Sequence, residues 1–101
     1  MTKAQIKQLD KIFQVEGLKR FPTCKYCGSQ ADCLHHLIGR RHLATRWDYD
    51  NSVPVCQNCH NDIHQGHIYP EITYKLYQKS EKVVKYQDFK TIKETLCEHI
   101  T

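Results

Sequence analysis

The chain has 101 residues, a formal net charge of +4 and six cysteines. One domain of this size buries only about 60 to 70% of the surface its unfolded chain exposes, so a staple is expected to supplement the core. No apolar run approaches the roughly 20 residues a membrane helix needs, and no apolar leader opens the chain, so the expectation is a cytoplasmic protein with no membrane segment.

The charge is uneven: residues 1–30 carry six basic and two acidic side chains, residues 31–67 three and four, and residues 68–101 six and five. The excess lies in the N-terminal third, which makes nucleic acid a mild favourite as partner over a merely solvated surface.

In chain order, Thr2 and Gln5 have capping-box spacing, and Ile6, Leu9, Ile12 and Phe13 fall on one helical face until Gly17 ends the pattern, which predicts a helix over about 3–16. Phe21-Pro22-Thr23 leads into Cys24-Lys-Tyr-Cys27-Gly28, where the glycine permits a tight knuckle turn. Ala31 to Ile38 predicts a strand closed by Gly39, and Arg40 to Trp47 a loop in which Trp47 plugs the core. After the turn cluster Asp48 to Asn51, Ser52-Val53-Pro54-Val55 predicts a second strand, which proline restricts to an edge or a strand start. Cys56 to Gln65 predicts a helix stopped by Gly66. Helix resumes near Tyr69-Pro70-Glu71 with Ile72, Leu76 and Tyr77 as its buried stripe, and Asp88 caps a last helix carrying Phe89, Ile92, Leu96 and Ile100. The class is α+β: one domain over 1–101, with a core over 24–66 and C-terminal helices over about 70–100.

Two Cys-x-x-Cys turns, Cys24/Cys27 and Cys56/Cys59, stand 28 residues apart, which fits a closed tetrahedral site for structural Zn2+. Cys33 and Cys97 then remain reduced thiols. Inside that frame lie His35-His36, and beyond it His60 and His64, whose i, i+4 spacing puts both on one helical face where they can hold one ion. Imidazoles outside a filled zinc site suit a second ion that keeps open positions. His42, His67 and His99 lack such spacing and read as solvated or locally hydrogen-bonded.

Taken together, Cys-x-x-Cys, Asp32-Cys-Leu-His35-His36, Asn51 and Cys56-x-x-Cys59-His60-x-x-x-His64 resemble the HNH endonuclease family, over residues 24–64, with the flanking helices hardly covered. The resemblance implies a zinc-stapled ββα-metal core and a DNA endonuclease that leaves 5′-phosphate and 3′-hydroxyl ends. It implies His36 as general base, Asn51 as the residue that ties the hairpin loop and fixes the base imidazole, and His35, His60 and His64 as ligands of a catalytic Mg2+ or Mn2+. Many members carry an aspartate beside the base; here that place is His35, and Asp32 is a rival ligand four residues from His36. In a regular strand His35 and His36 would point to opposite faces, so the split of their roles rests on the resemblance.

Arg40, Arg41 and Arg46 lie in the loop between His36 and Asn51, placed to bind DNA phosphates in bidentate fashion; the plain alternative is a solvated loop with one arginine paired to Asp48 or Asp50. One catalytic centre per chain implies nicking by a monomer. The flanking helices are the expected place for a homodimer contact or a phage or mobile-element partner. A non-catalytic zinc-binding DNA module and a rubredoxin-like iron carrier are the rival classes, and both leave the four histidines without a role.

Overall fold

The structure, a computed structural model, describes residues 1–82 and 88–97. Among these it is α+β, with four helices and one two-stranded antiparallel sheet: α1 (Lys3–Arg20), β1 (Cys33–His36), a 3-10 turn (Tyr49–Asn51), β2 (Ser52–Val55), α2 (Gln57–His64), α3 (Tyr74–Ser80) and α4 (Phe89–Cys97). No described helix is long and apolar enough to cross a membrane.

The capping box forms as expected, with Gln5 N–H donating to Thr2 Oγ1 (3.1 Å) and Thr2 N–H to Gln5 Oε1 (2.9 Å). The helix then continues to Arg20 instead of stopping near residue 16. Gly17 does not break it, because the glycine is there for contact: a Cβ on it would sit 2.1 Å from Leu34 Cδ1 and 2.9 Å from Tyr49 Cε1. The helix stops where Pro22 forces the residue before it out of the α region, and Phe21 duly has φ −128° and ψ 74°.

Strand β1 is shorter than the predicted 31–38. Ala31 N–H bonds Pro22 O and belongs to the knuckle, while Leu37 and Ile38 turn their N–H groups to Asn51. Strand β2 has its predicted bounds, and Cys33 pairs with Val55, Leu34 with Pro54, His35 with Val53 and His36 with Ser52. The pleat then sorts two cores. Leu34 packs with Leu9, Phe13, Trp47 and Leu96 from the α1 and α4 side, whereas Val53 and Val55 pack with Cys24, Cys56 and Cys59 on the α2 side, where Cys33 joins them.

The C-terminal part departs from expectation in two places. α3 begins only at Tyr74, because Thr73 caps it by accepting from Leu76 N–H (3.2 Å); of the predicted stripe Leu76 is buried, while Ile72 and Tyr77 are exposed. Asp88 caps α4 through Lys90 N–H (3.0 Å) and Thr91 Oγ1 (2.8 Å), and Leu96 reaches the core with Phe89 and Ile92 packed against it. Ile100 lies outside the described residues.

Two side chains of α1 hold the sheet and the loop. Gln14 accepts from Leu34 N–H (2.8 Å) and donates to Leu34 O (3.0 Å), so its amide acts as one residue of a third strand along the outer edge of β1. Asp10 receives Arg46 Nε (3.0 Å), Arg46 Nη2 (2.7 Å) and Trp47 Nε1 (2.9 Å). With side chains only 24% and 17% exposed, Asp10 and Arg46 form a sheltered bidentate pair, worth more than a surface ion pair. Burial alone would push the Asp10 carboxyl up, but hydrogen bonds from Arg46 and Trp47 and the charges of Arg46 and Arg40 hold it below the usual carboxylate range.

Asp10→Ala is therefore expected to cost about 2–3 kcal/mol at pH 7 in urea denaturation. The folded carboxyl titrates below its unfolded value of about 3.9, so the stabilisation is full above that value and is lost as pH falls through the lowered folded pKa. The gap between the two proteins should narrow below pH 4; a gap that stays constant to pH 2 would show that the carboxylate charge is not what holds the loop.

Candidate metal centres

The first cluster is built from two turns. In the knuckle, Cys24 N–H bonds Ser29 O (2.7 Å) and Gly28 N–H bonds Cys24 O (3.1 Å), a reversal that needs the positive φ of Gly28 (78°). Lys25 N–H bonds Pro54 O (3.0 Å), which seats the knuckle beside β2. Cys56 is the N-cap of α2 and its sulfur accepts from Cys59 N–H (3.4 Å). The four sulfurs of Cys24, Cys27, Cys56 and Cys59 lie within 4.8 Å of one another, and no disulfide forms.

That spacing surrounds the roughly 3.8 Å sulfur separation of a tetrahedral site with bonds of about 2.3 Å, so the cluster is compatible with structural zinc. Its electrostatics point the same way. Burial raises the Cys24 thiol, yet the backbone N–H groups of Cys56, Cys27 and Tyr26 bring it down to about 6. The Cys59 N–H lowers Cys56, and burial together with the neighbouring sulfurs pushes Cys59 up. Backbone dipoles thus favour thiolates that cannot all ionise side by side without a cation among them.

The second cluster combines His60 and His64 of α2 with His35 of β1, whose ligating nitrogens lie within 4.8 Å of one another. His60 Nε2 and His64 Nε2 are 3.0 Å apart, and the His35 ring lies 5.2 Å and 5.7 Å from theirs. Burial, then the mutual repulsion of the imidazoles, takes His35 down to about 4 and lowers His60. Neutral rings keep the lone pairs that a metal requires.

His36 takes the opposite face. Its ring stacks on Phe13 (centroids 5.0 Å apart), and its Nε2 lies 2.9 Å from Arg46 O. A carbonyl can only accept, so Nε2 carries the proton and the neutral ring has its lone pair on Nδ1. Burial lowers its pKa, as do Arg40 and Arg46, against the raising effects of the Arg46 carbonyl and Asp10. His35 and His36 nevertheless line one cleft of about 360 Å³, together with Asp10, Arg40, His60 and His64.

Asn51 is fully buried and ties the loop: its Oδ1 accepts from Ile38 N–H (2.7 Å), and its Nδ2 donates to Ile38 O (3.0 Å) and Thr45 O (3.1 Å). Thr45 precedes the residue whose carbonyl holds His36. Asp32 is absent from the histidine cluster, for its carboxylate accepts from Gln57 N–H (2.8 Å) at the start of α2. Of the loop arginines, Arg46 is engaged by Asp10 and not by Asp48 or Asp50, and Asp48 pairs with Lys79 instead. The Arg40 side chain is 61% exposed at the cleft, and Arg41 is exposed with its Nε 3.3 Å from His42 Nε2. His67 lies 3.6 Å from Asp62, and His99 is outside the described residues.

Three residues of the site had not been singled out from the sequence. Asp10 and Gln14 sit among the apolar positions of α1 with nothing local to mark them. Cys33 could have been found: it lies two residues before His35, hence on the same face of a strand, and its Sγ is 3.5 Å from His60 Nδ1. Burial, with the charges of Asp32 and Cys56, raises the Cys33 thiol.

No family model matches the chain, and no solved structure matches it. The chain is similar to the mitochondrial DNA mismatch repair protein mutS homolog of Sarcophyton glaucum, with 39% identity over 54 residues. That alignment covers 46% of this chain and 5% of the relative, so the likeness concerns about a twentieth of that protein's length.

Asn51→Ala should strip partners from buried backbone groups of Ile38 and Thr45 and cost about 2–4 kcal/mol in urea denaturation. A loss below about 0.5 kcal/mol would show that the loop holds itself.

Proposed function

We propose that the chain is an HNH-type endonuclease that hydrolyses DNA phosphodiesters, nicking one strand per encounter, with Zn2+ at the four cysteines and a divalent ion at His35, His60 and His64. The observation that carries this reading is the sharing of one cleft by three mutually facing imidazoles and a fourth, His36, held by a backbone carbonyl. A purely structural zinc module has no use for the second group. The partial likeness to a protein named for DNA mismatch repair is in keeping with DNA as substrate.

A divalent ion held by the three histidines would supply positive charge to the phosphate and to its departing oxygen. His36 takes a proton from water at Nδ1 while Nε2–H stays on Arg46 O, and the oxygen so activated forms a bond to phosphorus. The P–O3′ bond breaks, and the departing 3′ oxygen takes up a proton from solvent water while His36 later returns its own to solvent, which yields 5′-phosphate and 3′-hydroxyl ends. Phe13 stacking and the Arg46 carbonyl keep the imidazole from rotating between these events. Arg40 and Arg41 hold flanking phosphates. Arg46, occupied by Asp10, serves by fixing the loop.

The donor set also bears on the ion. Three imidazoles with no carboxylate favour Co2+, Ni2+ or Zn2+ over Mn2+, and Mn2+ over Mg2+, which prefers oxygen ligands.

Supercoiled plasmid incubated with the protein and each of Mg2+, Mn2+, Co2+ and Ni2+, with EDTA as control, should give nicked circles that depend on added ion. Intact plasmid in every arm would overturn the nuclease reading. His36→Ala is expected to lower nicking by at least about 100-fold, the usual worth of a general base, while zinc content and the folded state are retained; nicking at the original rate would remove His36 from the base role. Cys24→Ser should release zinc and unfold the α2 side of the molecule, seen as loss of bound zinc by elemental analysis and of cooperative melting. Normal melting without zinc would mean that the thiol cluster is not structural.

A further inference from the structure

We propose that Cys33 is a positioning residue for the histidine cluster: its sulfur accepts the Nδ1 proton of His60 and so holds the His60 Nε2 lone pair toward His35 and His64. The inference rests on the reading of the three histidines as a ligand set.

The geometry is short and closed. His60 Nε2 is the nitrogen that faces the cluster, 3.0 Å from His64 Nε2. A neutral imidazole has one N–H, so a lone pair on Nε2 requires the proton on Nδ1, and that proton needs an acceptor. The atom at that position is Cys33 Sγ, 3.5 Å away. The opposite arrangement, thiol donating to Nδ1, would put the ring proton on Nε2 and direct it into the cluster. In the metal-free chain His64 then donates its Nε2 proton to His60.

Cys33 reaches this place because of the strand, not because of the zinc frame. It is not one of the four clustered thiols. It sits two residues from His35 on the face that packs against α2, with Val55 as its partner across the sheet. One strand therefore delivers a ligand and the support for another ligand to the same helix. Its neighbour Asp32 bonds the first N–H of that helix, so consecutive residues 32 and 33 fix α2 at Gln57 and at His60. Metal-bound histidines generally donate their remote N–H to a carboxylate, a backbone carbonyl or water, and loss of that partner lowers metal affinity about 10- to 100-fold; here a thiol sulfur, a weaker acceptor, takes that place.

The test uses the full chain and three variants. Cys33→Val fills the space with no acceptor, Cys33→Ala removes the acceptor where valine does not fold, and Cys33→Ser restores an acceptor. Long-range proton–nitrogen NMR on the metal-free histidine cluster should find His60 as the Nδ1–H tautomer in wild type and serine variant, and shifted toward Nε2–H in the valine or alanine variant. Ni2+ titration should show affinity at the histidine cluster reduced about 10-fold or more without the acceptor and largely recovered with serine. A purely packing role would be met by valine and would leave the tautomer unmoved. Unchanged tautomer and unchanged Ni2+ affinity in Cys33→Val overturn the proposal. If the wild-type chain binds no Ni2+ there, the metal-site reading falls, and the tautomer comparison alone decides for or against the Cys33–His60 bond.

Discussion

The pleat of β1 sends Cys33 and His35 to one face of the sheet and Leu34 and His36 to the other, and each face meets a different helix. A slip of one residue in the register with β2 would put Leu34 among the thiols and His35 against Phe13, a loss of core and of the imidazole cluster at once. The rest of the molecule guards that register. Gln14 pairs with both backbone groups of Leu34 on the outer edge, Asn51 closes the far end of the hairpin, and the absent side chain of Gly17 lets α1 lie directly on Leu34.

Helix α1 is therefore part of the site although it supplies no ligand. It contributes the Phe13 ring on which His36 rests, and the Asp10 carboxylate that fixes Arg46, whose carbonyl holds the His36 proton. The path runs from a helix through a sheltered ion pair to a backbone oxygen and then to an imidazole. Each of its contacts is a direct hydrogen bond or a ring stack.

Much of this was legible because ligand spacing and turn chemistry are local. The two Cys-x-x-Cys turns, the i, i+4 histidines, Ser52 to Val55 and the capping box at Thr2 all depend on residues a few positions apart, and the structure brings each together. The reach of α1 past Gly17 was not legible, since glycine weakens a helix in isolation but here is needed for the contact with Leu34 and Tyr49. Arg46 reads from the sequence as a phosphate-binding residue, with a pairing of one loop arginine to Asp48 or Asp50 as the plain alternative, yet its partner stands 36 positions away on α1, a pairing only the tertiary fold creates. The divergence of His35 and His36 was expected from strand geometry. That both still border one cleft depends on the path of the loop between Gly39 and Asp48, which no period in the sequence describes.

Helix α2 has only eight residues and carries Cys59, His60 and His64, with Cys56 as its cap. A helix of two turns does not persist alone in water. The relative placement of the two imidazoles is thus not a property of the local segment but depends on what holds the helix from outside: the sulfur cluster at its first turn and the Asp32 carboxylate on Gln57 N–H. The imidazoles at one end of this helix consequently depend on the thiol turns at the other, so a change at a cysteine reaches the histidines without touching them.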